Sequence, residues 1–183
     1  MAGGCWFLDL TLNSATGLLD VREFGRMKVY AEVTIDGKPT KYKTPVDYAG
    51  ETNPTWNLRA FYNLDYEAVK RDDTFLVIKL YCERSFAADK YVGELKMSIK
   101  WLFDKRNGDQ LTVANYYVNR AKEDGEFGIL NFSYRLYETS PEMSNADGDS
   151  SGRKESFSRT VLKTAAAIAL ESLIPGSSDI FFE

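Results

Sequence analysis

The sequence predicts an all-β fold, an antiparallel sandwich of eight strands, on three observations. Short runs of alternating apolar residues recur along the first 138 positions, clusters of turn residues separate them, and helix formers are scarce in the most apolar run, Phe75-Leu-Val-Ile-Lys-Leu-Tyr81. A chain of 183 residues that is 44% hydrophobic and 14% aromatic has the material for one compact core with a tail.

The strands are expected, in order, at Trp6–Asn13, Met27–Asp36, Thr40–Val46, Trp56–Asn63, Thr74–Tyr81, Tyr91–Ile99, Leu111–Asn119 and Gly128–Tyr137. Asp36-Gly37 lies between the second and third runs, where a tight hairpin needs positive φ. Asn53-Pro54 forces a turn before the fourth run, which opens on Trp56, an aromatic large enough to anchor one sheet against the other. Asp72-Asp73 occupies a turn position before the fifth. Between the sixth and seventh, Ser98–Asp104 puts Ile99, Leu102 and Phe103 on one helical face and reads as a short inserted helix; the alternative is a continuing strand end.

After Tyr137 the composition changes. Residues 139–156 are rich in Ser, Glu, Asp, Asn and Gly and read as a flexible linker, so the domain is bounded at 1–138. Residues 157–183 read as an amphipathic helix and tail: Thr160, Thr164, Ala167 and Glu171 share one face, and Val161, Leu162, Ala166, Ile168, Ala169 and Leu173 fill the remainder. Its apolar run is shorter than the roughly 20 residues a bilayer demands. With Arg153, Lys154, Arg159 and Lys163 beside it, the helix could lie in a membrane plane, enter a protein partner's groove or fold back on the domain. Ser156 and Ser158 sit in that basic stretch, where phosphorylation would reverse the local charge.

Composition narrows function. A net charge of −4 lacks the basic excess that a phosphate backbone rewards, so nucleic acid is not an expected partner. There is no histidine, no Gly-rich phosphate loop followed by Lys and Ser/Thr, and no G-x-S-x-G nucleophile motif, so no enzyme is expected. Cys5 and Cys82 are too few for a disulfide framework or a cysteine zinc site; beside Cys82, Glu83 tends to raise the thiol pKa and Arg84 opposes it. The N-terminus shows neither a secretory signal nor the glycine that myristoylation requires, and the cytosol is the expected compartment.

Five segments in order, LDLTLNSATGLLDV at 8–21, FGRMKVYAEVTIDG at 24–37, TNPTWN at 52–57, YVGELKM at 91–97 and GILNFSYRLY at 128–137, resemble the C2-domain family, in particular small plant C2 proteins of cold and defence responses. The resemblance implies a C2-type sandwich of type II, the permuted form that begins at the other form's second strand and closes on the GILNFSYRLY segment. It also implies a docking module for membranes or protein partners, with roles in stress or defence signalling at the plasma membrane.

Family members that bind calcium gather aspartates from two loops, and calcium itself requires six to eight oxygens. By that resemblance the positions are Asp20, Lys28, Cys82, Arg84 and Lys90, of which only Asp20 is a carboxylate. A one-residue shift would recruit Asp89. A unit charge near a cation at ~4 Å is repelled by about 1–4 kcal/mol, and by twice that for a divalent ion, so no calcium or other cofactor is expected. The same positions offer Lys28, Arg84 and Lys90 with Phe86 at the loop tip, a set suited to an anionic phospholipid surface; the alternative is a solvated loop. A second basic group, Lys38, Lys41 and Lys43, resembles the lysine strand through which many C2 domains hold phosphoinositide headgroups, with Lys41 and Lys43 on one face. Glu32 on the neighbouring strand counts against it. The rival expectations are a soluble adaptor that touches no lipid and a residual calcium-dependent lipid binder.

Overall fold

A computed structural model describes residues 5–22, 24–120 and 127–139. Among the described residues eight strands form: β1 (Cys5–Thr16), β2 (Val29–Ile35), β3 (Lys41–Lys43), β4 (Thr55–Leu64), β5 (Phe75–Cys82), β6 (Lys90–Ser98), β7 (Thr112–Tyr117) and β8 (Ile129–Thr139). They pair antiparallel in two four-stranded sheets, ordered β4-β1-β8-β7 and β3-β2-β5-β6. Beside β1 lies β8, the last strand among the described residues, with Cys5 opposite Thr139 and Thr16 opposite Ile129, which is the place type II requires for its closing strand.

Period-two alternation decides what is buried. On β1 the inward row is Trp6, Leu8, Leu10 and Leu12, and on β5 it is Leu76, Ile78, Leu80 and Cys82; all belong to one core. Full burial of a leucine contributes about 1.5–3 kcal/mol, so these two rows alone outweigh any surface contact described below. A β-bulge between Leu12 and Ser14 shifts the register by one and turns Ala15 inward just before β1 ends. Hydroxyl and indole donors tie the sheets together. Tyr62 on β4 donates to Val33 O at 2.8 Å, and Trp56 Nε1 donates to Val29 O at 3.0 Å, the anchoring expected of that tryptophan.

Helix α2 (Ile99–Lys105) forms where the inserted helix was expected, with Ser98 Oγ accepting from Trp101 N at 3.3 Å and with Ile99 and Leu102 buried. A second helix, α1 (Tyr66–Lys70), stands in a stretch the sequence reading left without an element. In the hairpin only Gly37 takes positive φ, at 75°, with Lys38 N donating to Ile35 O, so the link to β3 is longer than a two-residue mirror-image turn. The β8 strand runs to Thr139, and the expected linker and amphipathic helix beyond it lie outside the described residues. Among the described residues no helix is long and apolar enough to cross a membrane.

Candidate functional site

Loops 17–28, 44–54 and 83–89 gather at the end of the sandwich where β1, β3 and β5 finish and β2, β4 and β6 begin. The middle loop is a brace. Asp47 accepts from the backbone N–H of Ala49, Gly50 and Thr55 at 2.8, 2.9 and 2.7 Å. Burial pushes its carboxyl up, and the three donors, Thr55 foremost, outweigh burial and hold it below the ordinary carboxylate value. A Cβ on Gly50 would lie 2.6 Å from Asn53 O, so the loop closes this tightly only with glycine there. From the brace, Asn53 Oδ1 accepts from Gly17 N at 2.9 Å and Thr52 O accepts from Leu18 N at 2.9 Å, fixing the start of the first loop.

The third loop is tied to β2. Glu83 N donates to Lys28 O at 2.8 Å, and Asp89 accepts from Arg84 N at 3.0 Å and from the Tyr30 hydroxyl at 2.8 Å. Arg84 N–H, then Tyr30, holds the Asp89 carboxyl below its usual value, while burial and then Asp89 push the Tyr30 hydroxyl well up. Between the first and third loops lies a hollow of about 450 Å³ whose lining includes Lys28, Arg84, Phe86 and Lys90. The structure therefore brings together all four residues of the expected loop surface. It adds Phe24, Arg22 and Arg26 from the first loop, which sequence reasoning missed. Glu23 between them is outside the described residues. An aromatic beside a glycine, in a loop holding three basic residues, was the signal available for them.

Exposure and pairing set this surface apart. Phe24 and Phe86 stand in solvent at 91% and 103% relative exposure, one on each side of the hollow. Arg26 meets Glu51 at 3.5 Å, and Lys28 Nζ lies 5.4 Å from the Tyr48 ring centroid. Among the described residues no ion pair or hydrogen bond engages the charged ends of Arg84 and Lys90. Glu83 also lines the hollow, and its hydrogen bond with the Tyr48 hydroxyl pushes that phenol up.

The expected degenerate calcium positions separate. Lys28, Arg84 and Lys90 do face the hollow. Asp20 Oδ1 accepts from Arg22 N at 2.9 Å. Cys82 corrects its placement on the loop: it is the last member of the inward row of β5, fully buried, and presents a core thiol rather than a loop ligand. Asp89 has both oxygens occupied by Arg84 N and Tyr30. Among the described residues no group of three or more His, Cys, Asp or Glu side chains is placed to hold a metal.

The strand lysines are not one open patch. Lys38 pairs with Asp65 at 3.3 Å at the opposite end of the sandwich, Lys41 pairs with Glu32 at 2.6 Å, and Lys43 Nζ lies 3.8 Å above the Tyr30 ring. Lys41 and Lys43 do share the exposed face of β3, and Glu32, in register with Lys43 and with Lys79 on β5, makes that face a row of alternating sign.

The model of the C2 domain family matches residues 6–112. The chain is 36% identical over 135 residues to Protein SRC2 homolog of Arabidopsis thaliana, covering 73% of this chain and 41% of that protein. It is 30% identical over 138 residues to Protein SRC2 of Glycine max, covering 73% and 47%. It thus spans less than half the length of these curated relatives. Among solved structures, the C2A domain of plant Extended Synaptotagmin 1 superposes with a TM-score of 0.60 at 15% identity, over 73% of this chain and 95% of that one. The match of the family model across more than half of the sequence, on a sandwich with the family's strand order, makes this chain a member of the C2 domain family.

Proposed function

We propose that this C2 domain docks on anionic membrane surfaces without calcium, through the loop end. The observation that carries the reading is the pair of fully exposed phenylalanines, Phe24 and Phe86, flanking a hollow lined by five cationic side chains. Each cation near a negatively charged leaflet contributes about 1 kcal/mol. A phenyl ring contributes about 1.5–3 kcal/mol when wholly buried, and roughly half that at a membrane interface. Lys28, Arg84 and Lys90 with two half-buried rings therefore sum to about 4.5–6 kcal/mol, near the reversible binding of a single acyl chain.

Protein capture by residues 157–183 would be read from deletion of 139–183, which should abolish it while leaving the sandwich folded.

The test is co-sedimentation with phosphatidylserine vesicles in chelator and in calcium. Equal binding in both supports the proposal. Binding only with calcium overturns the metal-free reading, and binding in neither condition removes lipid and leaves the adaptor role.

A further inference from the structure

We propose that β7 is a self-association edge, to which a second copy of this chain adds its own β7 antiparallel about a two-fold axis at Asn115, joining two four-stranded sheets into one. The proposal is independent of the docking reading, since β7 forms no part of the hollow at the loop end.

Among the described residues each sheet has two edges, β4 and β7 in one, β3 and β6 in the other. An open edge offers unpaired backbone groups to any strand that meets it, and proteins blunt such edges with charge, brevity or a bulge. Three of these four are blunted. The β3 strand is three residues long and carries Lys41 and Lys43, and β6 carries Lys90, Glu94 and Lys96. The β4 strand meets β1 across the bulge between Leu12 and Ser14, beside which Asn57 takes a φ of 52°. Only β7, Thr-Val-Ala-Asn-Tyr-Tyr, has no charge, no proline and no glycine.

The ladder shows which of its groups face outward. Val118 N donates to Gly128 O at 2.9 Å, toward β8, whereas Asn119 exchanges hydrogen bonds of 2.7 and 2.8 Å with Glu94 of β6 on the other side. Antiparallel bonding alternates, so Thr112, Ala114 and Tyr116 bond β8, and the N–H and C=O of Val113, Asn115 and Tyr117 point away from it. Among the described residues no hydrogen bond reaches those outward groups. Their side chains lie on the outer face of the sheet, Val113 at 73% and Tyr117 at 51% exposure, with Leu111 before the strand and Ile129 opposite Tyr117 also exposed.

A second copy meets both demands. A row of backbone donors and acceptors is satisfied by another strand, and an apolar row beside it by another apolar row. With Asn115 opposite its counterpart, every outward residue of β7 enters a hydrogen-bonded pair. Val113 then falls opposite Tyr117 on both sides of the axis, a β-branched and aromatic pairing that stabilises sheets. Asn119, already bonded to Glu94, ends the new ladder. Asp109, before the strand, approaches the end of the other copy where Arg120 follows it, and symmetry repeats the match. Parallel pairing would set like charges side by side.

Sedimentation equilibrium of the full chain should show a reversible dimer forming between about 5 and about 500 μM, the range of a small, transient interface. Over that range amide exchange at Val113, Asn115 and Tyr117 should slow at least about threefold, and exchange at Ala114 and Tyr116, which bond β8 in either state, should change less. Asn115→Pro removes an outward N–H that an edge strand does not need for folding, and should leave a monomer throughout. In a Cys5→Ser background, Asn115→Cys should give a disulfide-linked dimer on mild oxidation, and Val113→Cys should cross-link with Tyr117→Cys but not with itself. The alternating amide pattern is read in the native chain, so a variant that misfolds does not decide the matter. A monomer at about 500 μM overturns the proposal. So does a dimer in which the outward amides do not slow, or one that survives Asn115→Pro with the sandwich folded. Absence of a cross-link through position 115 overturns the two-fold register.

Discussion

Two basic regions of this molecule differ in what their charges meet. On β3 and the link before it each lysine has an occupation: Lys41 on Glu32, Lys38 on Asp65, Lys43 over Tyr30. At the loop end no ion pair or hydrogen bond engages the charged ends of Arg84 and Lys90 among the described residues, and two phenyl rings stand exposed beside them. A count of lysines ranks the strand face level with the loops, whereas a count of unengaged cations ranks it far below. An anion approaching β3 would have to displace a carboxylate already there, and exposed pairs of this kind contribute only about 0–1 kcal/mol to stability, so they serve chiefly to neutralise the face.

The contrast can be broken most forcefully at the loops. Exchanging Lys28, Arg84 and Lys90 together for Glu removes about 3 kcal/mol of attraction and adds repulsion, so binding to phosphatidylserine vesicles should fall by at least about 100-fold. Unchanged binding would mean that the loops do not face the membrane. Replacing Phe24 and Phe86 by Ala leaves the charge alone and removes about 1.5–3 kcal/mol of insertion, roughly 10–150-fold, with a weaker salt dependence than the charge variant.

A gain of function sharpens the same contrast from the other side. Glu32→Gln should release Lys41 and raise binding to phosphoinositide vesicles by about fivefold, near 1 kcal/mol, while Lys41→Gln with Lys43→Gln in the parent chain should change it less than about threefold. No gain in the first variant would show that pairing is not what silences this face.

The smallest effect concerns pH. Asp89 has a depressed native value, so the stability it lends is present above its unfolded value of about 3.9 and is lost as pH falls through the lower native one. The 83–89 loop should therefore keep its protection from amide exchange at neutral pH and loosen only below about pH 4. Asp89→Asn should loosen it at every pH.

The strands were legible because burial imposes period two, and all eight run where alternation placed them. The five-residue α1 was not: one buried residue, Val69, is too little to reveal a helical period in a polar stretch. At the site, the cations and Phe86 could be read as loop residues, but Phe24 and Arg22 could not be assigned, because the resemblance directs attention to ligand positions and they occupy none. Cys82 shows the same bias from the other side. Alignment put it on a loop, and strand parity puts it in the core. Side-chain pairing is the last thing a sequence reveals, and only the register of β2 against β3 and β5 shows how completely Glu32 is surrounded by lysines.

The adjacency of β1 and β8 also has a mechanical meaning. Cys5 and Thr139 face each other at the end opposite the loops, so a pull applied to the two termini peels the ladder one pair at a time, its weakest direction. A load running from a terminus to Phe24 and Phe86 instead acts along the strands, where the rungs share the strain. A load between the Cys5–Thr139 end of this ladder and the loop end is thus carried in shear.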